Sequence, residues 1–296
     1  MSTRGLKKLA LLLAFWLALH TTTLRAQFLG PSGTSPVLVE INTSGQLVDA
    51  GAFGGSDSLL TTGAGTRMFW FPKKSAFRAG TVTGADWDGT SLVNLGSYST
   101  AFGYNTTASG TYSTASGYGT VASGTYATAL GWSTTASGTS SMAHGQSTVA
   151  SGWISEASGT WTTATGAFAV ASGFVTLASG NGSSASGEYT TASGGGSTAS
   201  GYHTTASGTV SAAFGNLTTA SAYNDFVLGR YNTGTGTAGS WVTTDPLFEV
   251  GNGTSGSPRD ALIIYKNGNG ALQGNFTTGG VITAAPGGDI PVFTGS

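Results

Sequence analysis

The chain has 296 residues, of which only 8% are charged, 49 are glycine and none is cysteine, and its formal net charge is −1. Without cysteine no disulfide framework can hold it, and with no Lys or Arg between Arg78 and Arg230 its middle cannot neutralise the phosphates that nucleic-acid binding requires. Disorder is excluded too, because disordered chains are poor in aromatics, whereas here the aromatics keep phase with a repeat.

The N-terminus predicts a secretory signal over residues 1–26. Arg4, Lys7 and Lys8 precede an apolar run from Leu9 to Leu19, and "TTTLRAQ" places the cut after Ala26. The run is shorter than the ~20 apolar residues of a spanning helix, and no later segment supplies one, so no transmembrane segment is expected after signal removal. Residues 27–57 read as an N-terminal β/loop segment in which "PVLVEI" and "QLVDA" flank the turn-forming "NTSG" as a hairpin. Residues 58–97 gather Arg67, Lys73, Lys74 and Arg78 among Met68, Phe69, Trp70 and Phe71. They read as an N-terminal cap over the exposed edge and apolar end of the next unit. The competing reading is a basic, aromatic carbohydrate-binding patch.

From Ala101 to Ala220 every seventh residue is alanine, and two residues after each stands glycine, until Ala222 closes the series. A coiled coil needs large apolar residues at two heptad positions, and a glycine in every seven residues would cost a helix roughly 1 kcal/mol each. Extended chain fits instead: in Ser113-Thr114-Ala115-Ser116-Gly117, alternation puts Ser113, Ala115 and Gly117 on one uniformly small face. The larger residues double the period. Tyr104, Tyr118, Trp132, Phe174 and Tyr202 share one phase of a 14-residue cycle, Tyr112, Tyr126, Ile154 and Phe168 another, and Phe102, Leu130 and Phe214 a third. Each 14-residue unit predicts two short strands and two glycine-bearing turns, one coil of a parallel β-solenoid over residues 98–224. About nine coils at ~4.8 Å give a rod of roughly 40 Å.

Residues 225–296 read as a C-terminal stem and tail. "NDFVLGRYN" supplies a closing strand, "ALIIYK" and "GALQG" form a hairpin around Asn267-Gly268 and Asn269, and "TAAPGGDIPVFTGS" is a loose tail. "GTGTAG" at 234–239 matches a dinucleotide fingerprint in form only. "SWVTTDP" follows where a helix should begin, so it reads as a flexible link.

No catalytic, cofactor-binding or metal-ligating set emerges. His144 and His203, the only histidines after the leader, have no carboxylate at a matching repeat position. Glu156 and Glu188 lie about two coils apart in different phases, too far for paired-carboxylate glycosidase chemistry at roughly 5 to 10 Å. The repeat has no Asp before Asp225, unlike calcium-binding rolls. His144 shares a column with Phe102, Leu130 and Phe214, so three copies meeting on a threefold axis would bring three imidazoles together; a structural histidine is the simpler reading. The sequons at Asn105 and Asn216 are expected by chance in a Thr-rich chain.

"STASG", "TALG" and "TAFG" in 14-residue units resemble the head repeats of trimeric autotransporter adhesins, the YadA-like heads. "GAGTRMFWFPKKSAFRAG" (63–80) and "DPLFEVGNGTSGSPRDALIIYKNGNGALQG" (245–274) resemble modules that accompany such repeats in secreted bacterial and phage-fibre-like proteins. The resemblance implies an all-β fold, a left-handed parallel β-roll, and association as a homotrimer. The adhesins' C-terminal membrane barrel and the fibre chaperone domain are not expected here. The implied function is that of a secreted, non-catalytic structural or adhesin-like surface or fibre protein, a rigid trimeric rod that meets surface glycans or proteins. A polysaccharide- or ice-binding β-solenoid is the alternative.

Overall fold

The computed structural model describes residues 25–28, 37–41, 47–48, 63–84, 87 and 92–274. The expected leader, apart from Arg25 and Ala26, and the expected tail beyond Gly274 lie outside them. At the N-terminus, β1 (Arg25–Phe28) pairs antiparallel with β2 (Val37–Ile41), which pairs antiparallel with β3 (Leu47–Val48), as the predicted hairpin requires.

Residues 100–230 form a parallel β-solenoid of 14 residues per coil. A β-hairpin leads in, β4 (Gly65–Phe71) against β5 (Ala76–Val82), and β5 pairs parallel with β6 (Thr100–Tyr104). The first coil is β6 followed by β7 (Thr107–Ala108), and this alternation of a five-residue and a two-residue strand runs through β8–β21 to β22 (Ala212–Asn216) and β23 (Thr219–Ala220). Long strands stack on long strands and short on short, always parallel and fourteen residues out of step, as in Ala129↔Ala143 and Ala136↔Ala150. The parallel stack does not close at β24 (Phe226–Arg230), as "NDFVLGRYN" alone suggests; β25 (Pro246–Asn252) adds one more parallel strand. Only then does the direction reverse, through β26 (Asp260–Tyr265) and β27 (Gly270–Leu272), the predicted hairpin, with Gly268 in the left-handed region at its turn.

The core is a thin double layer. The alanines of both sheets, from Ala101 to Ala220, are fully buried and form one cluster. Beside them, alternating corners bury a serine column and a threonine column. In the serine column Ser99, Ser113, Ser141 and Ser155 donate to the carbonyl three residues back, as Ser113 Oγ does to Gly110 O at 2.7 Å, whereas the threonine hydroxyls from Thr106 to Thr218 are packed in without a partner.

The glycines have a different task from the one their spacing suggests. The turns are made by left-handed residues every seventh position, and most are not glycine: Tyr112, Ser133, Ile154, Trp161 and Val175 all have φ between 52° and 58°. The repeat glycines stand where coils touch. A Cβ on Gly117 would lie 1.9 Å from the carbonyl oxygen of Gly131 in the next coil. Stacking the backbones at β spacing leaves that position no room for a side chain.

Candidate functional site

Side chains outside the core divide between two outward faces and the two ends of the stack. On the long-strand face, each strand turns its first, third and fifth residues out, because Ala101 and its equivalents are buried. Fourteen-residue register then stacks like on like. Tyr98, Tyr112 and Tyr126 at one turn form a face-to-face ladder with centroids 4.8 and 5.0 Å apart, and Tyr104 stacks on Tyr118 at 4.8 Å. Trp161, Phe174, Tyr189 and Tyr202 make a second run, the first pair tilted and the next two edge-on. Each ring in these ladders gains stacking that an isolated exposed aromatic lacks.

The short-strand face is unlike this. Thr107, Val121, Thr135, Val149, Thr163, Leu177, Thr191, Thr205 and Thr219 form one lane, and the residue two further on is Ser, or Thr at Thr165, in every coil. The result is an uncharged, two-lane array made mostly of Thr and Ser, with Val121, Val149 and Leu177 in the first lane. Its regularity is legible only once the coil is divided into its two faces; pooling all outward positions hides it.

At the N-terminal end, register places Arg78 opposite Ala101, in the alanine column itself. It is fully buried. Its guanidinium donates to Phe77 O at 2.8 Å, Ser99 O at 3.0 Å, Ser99 Oγ at 2.8 Å and Ala108 O at 2.8 Å. Burial lowers its pKa to about 10, which still leaves it charged at neutral pH. Trp87, also buried, donates from Nε1 to Thr106 O at 2.7 Å and packs edge-on against Phe69. Phe71, Ala76 and Leu95 form a small core beneath. Arg67 donates to Gly63 O and Lys74 Nζ to Leu95 O. The basic, aromatic segment is thus turned largely inward onto the first coil, while Met68 and Trp70 remain on the outside.

The C-terminal end mirrors this with acids. Glu249 is fully buried in the same column, next to Val227, and Asp225 occupies a place in the serine column. Asn232 ends the short-strand sheet: its Oδ1 accepts from Thr219 N at 2.7 Å and its Nδ2 donates to Thr219 O at 2.8 Å, a side-chain amide standing in for the next strand. The same Nδ2 donates to Glu249 Oε2. The "GTGTAG" segment is no flexible link. Thr209 N donates to Ala238 O and Tyr223 N to Thr237 O, both at 2.9 Å, and a Cβ on Gly236 would lie 2.5 Å from Ala222 Cβ, so the segment is a strap packed on the last coil. Small residues are there for close approach to protein, in place of a phosphate.

The candidate chemistry residues stay scattered. His144 stands half-buried between Leu130 and Ser158. His203 stacks on Tyr189 at 4.5 Å and meets Tyr202 edge-on at 4.4 Å. Glu156 and Glu188 are exposed in different columns. Among the described residues no three His, Cys, Asp or Glu side chains come together as metal ligands, and no helix is long and apolar enough to cross a membrane. The end acids escaped sequence reading, although one signal was available: Asp225 breaks a column otherwise built from Ser and Ala.

The comparison with protein families matches the YadA head domain repeat (2 copies) at residues 95–120, 122–148, 178–204, 185–211 and 192–218. A comparison with curated proteins gives no match. The matched segments coincide with the stacked coils, in sequence pattern and in register. At residues 95–120, 122–148 and 178–218 the chain therefore carries YadA-like head repeats.

Proposed function

We propose that the protein is a secreted, non-catalytic, adhesin-like surface or fibre component that works as a rigid rod of three identical chains. The observation that supports this best is the long-strand face. Phe102, Leu130, Val170, Phe226 and the aromatic ladders are exposed on it, while its core is only one alanine thick on each side. A single roll therefore buries little large apolar surface, and side-by-side association removes more from water at roughly 25 cal/mol per Å². Few charges oppose close approach: Glu156 and Glu188 are the only acids in the stacked coils before Asp225, and no Lys or Arg lies between Arg78 and Arg230. Partners such as surface glycans or proteins would meet the side chains that remain outside. Light scattering on residues 27–296 is expected to give three times the chain mass at micromolar concentration. A stable, folded monomer there overturns the trimer.

The two-lane Thr and Ser face favours a second reading, binding to an extended, regular surface of ice or polysaccharide. Its repeat at the ~4.8 Å coil spacing offers hydroxyls in rows, free of charge. Thermal hysteresis at millimolar protein supports the ice form, pull-down on insoluble polysaccharide supports the other, and neither result leaves the rod reading alone.

A further inference from the structure

A lysine and an aspartate meet where the C-terminal hairpin joins the roll. Asp245 directly precedes β25 and Lys266 directly follows β26, and the residues beside them, Pro246 and Tyr265, are register partners in that antiparallel pair. Lys266 N donates to Asp245 O at 3.0 Å, so the two residues face each other across the strands. Their side chains also meet: Lys266 Nζ lies 4.0 Å from Asp245 Oδ2, with the lysine side chain fully buried and the aspartate side chain 13% exposed.

As an ion pair this contact is poorly made. Its length exceeds that of a hydrogen bond, and among the described residues no acceptor reaches Lys266 Nζ. An ammonium carries three N–H donors, and burying all of them unused is costly. The Trp241 ring, with its centre 5.4 Å from Nζ, attracts the charge but covers it without a lone pair to accept these bonds. Asp245 is firmly placed. Its Oδ2 accepts from Thr237 N at 2.7 Å, and the strap packs on it so closely that a Cβ on Gly236 would lie 3.4 Å from Asp245 Cγ. Asp225, another buried carboxyl at this end, has no donor on either oxygen and so does not hydrogen-bond the lysine.

We propose that Lys266 and Asp245 become joined by an isopeptide bond, which forms within the folded chain once the hairpin has docked. After one proton passes from the ammonium to the carboxyl group, the nitrogen lone pair attacks Asp245 Cγ. The Nζ–Cγ bond forms, the Cγ–Oδ1 bond breaks, and Oδ1 leaves as water with two of the three ammonium protons. No oxidant or co-reactant is consumed. Thr237 N steadies the charge that Oδ2 gains in the tetrahedral intermediate, and Oδ2 remains as the amide oxygen. The fold supplies the rest by holding amine and carboxyl side by side, out of water. One amide N–H then replaces three unmet donors, and a buried charge is gone. In a chain without cysteine this bond takes the place of a disulfide, fastening β25 to β26 beside the strap.

Intact mass of the purified full chain, measured after denaturation, reads the bond directly. Most molecules are expected to be about 18 Da lighter than their sequence, one water lost. Trypsin is expected to leave the chain uncut after Lys266 and to release residues 231–259 joined to the fragment that begins at Asp260. Lys266→Met and Asp245→Ala should each restore the full mass, and the wild-type mass and map decide the matter even if neither variant folds. A folded wild type of full mass, showing an ion pair only, overturns the proposal. So does a loss of water that maps to another pair, Lys266 with Asp225 included, or one that persists in Lys266→Met.

Discussion

Gly152→Ala is expected to destabilise the roll by about 3 kcal/mol or more, measured by urea unfolding, although it adds a single methyl group. The added Cβ would sit 1.9 Å from Gly166 O, 2.6 Å from Gly166 C and 2.9 Å from Thr165 O. All three are backbone atoms of the next coil, so no rotamer relieves the contact. The coils must part there, which also breaks ladder hydrogen bonds such as Ser151 N to Ala164 O at 2.9 Å. In a stack held by nearest-neighbour interfaces, one opened interface weakens everything on both sides of it. Gly119→Ala is the control. Gly119 has φ +62°, and its Cβ would find nothing closer than Ser133 Oγ at 3.6 Å, so only the left-handed backbone is strained, at about 1 kcal/mol. Equal losses at the two sites would show that turn conformation, and not coil contact, sets the glycine columns.

Arg78→Ala is expected to cost about 3 kcal/mol and to expose the first coil to self-association, because it removes a buried, charged donor and leaves a cavity. Ser99 O and Ala108 O keep backbone donors, Phe77 N and Gly96 N, both at 2.9 Å, so the loss is in the charged bonds and the packing. Arg78→Met separates these two, since it fills much of the space without the charge. Loss of protection at residues 100–122 in both variants indicates that the guanidinium ties the coil shut; loss in Arg78→Ala alone indicates that it mainly fills space. Unchanged unfolding of Arg78→Ala contradicts the capping role.

The coils were readable from sequence because one steric demand recurs at every stack. Any residue larger than Ala at 157, or with a Cβ at 152, faces the same backbone that its equivalents face, so selection for fit appears as a column. The purpose of the glycines was not readable, since a turn and a close approach ask for the same residue; only the left-handed φ of Tyr112, Ile154 and Val175 separates the two. The ends were less readable still. Arg78 pairs with Ala101 and Glu249 with Val227, but each is separated from its partner by an insertion that breaks the 14-residue count. A cap acts once, through particular hydrogen bonds, and leaves no period to find. Asn232 keeps the count, standing fourteen residues after Thr218 in the threonine column, but nothing in the repeat says that its amide ends a sheet.

The central claim, a stack of 14-residue coils, is tested most directly by paired cysteines, because the chain has none of its own. Thr135 and Val149 are register partners on adjacent short strands, whereas Met142, halfway between them in sequence, lies on the other sheet. Neighbouring parallel strands hold Cα atoms about 4.8 Å apart, inside the range a disulfide spans. Mild oxidation of Thr135→Cys/Val149→Cys, read by intact mass and peptide mapping, is predicted to close an intrachain disulfide in most molecules, and Thr135→Cys/Met142→Cys to close none. Preferential closure of the seven-residue pair, or none in the fourteen-residue pair, would contradict the solenoid.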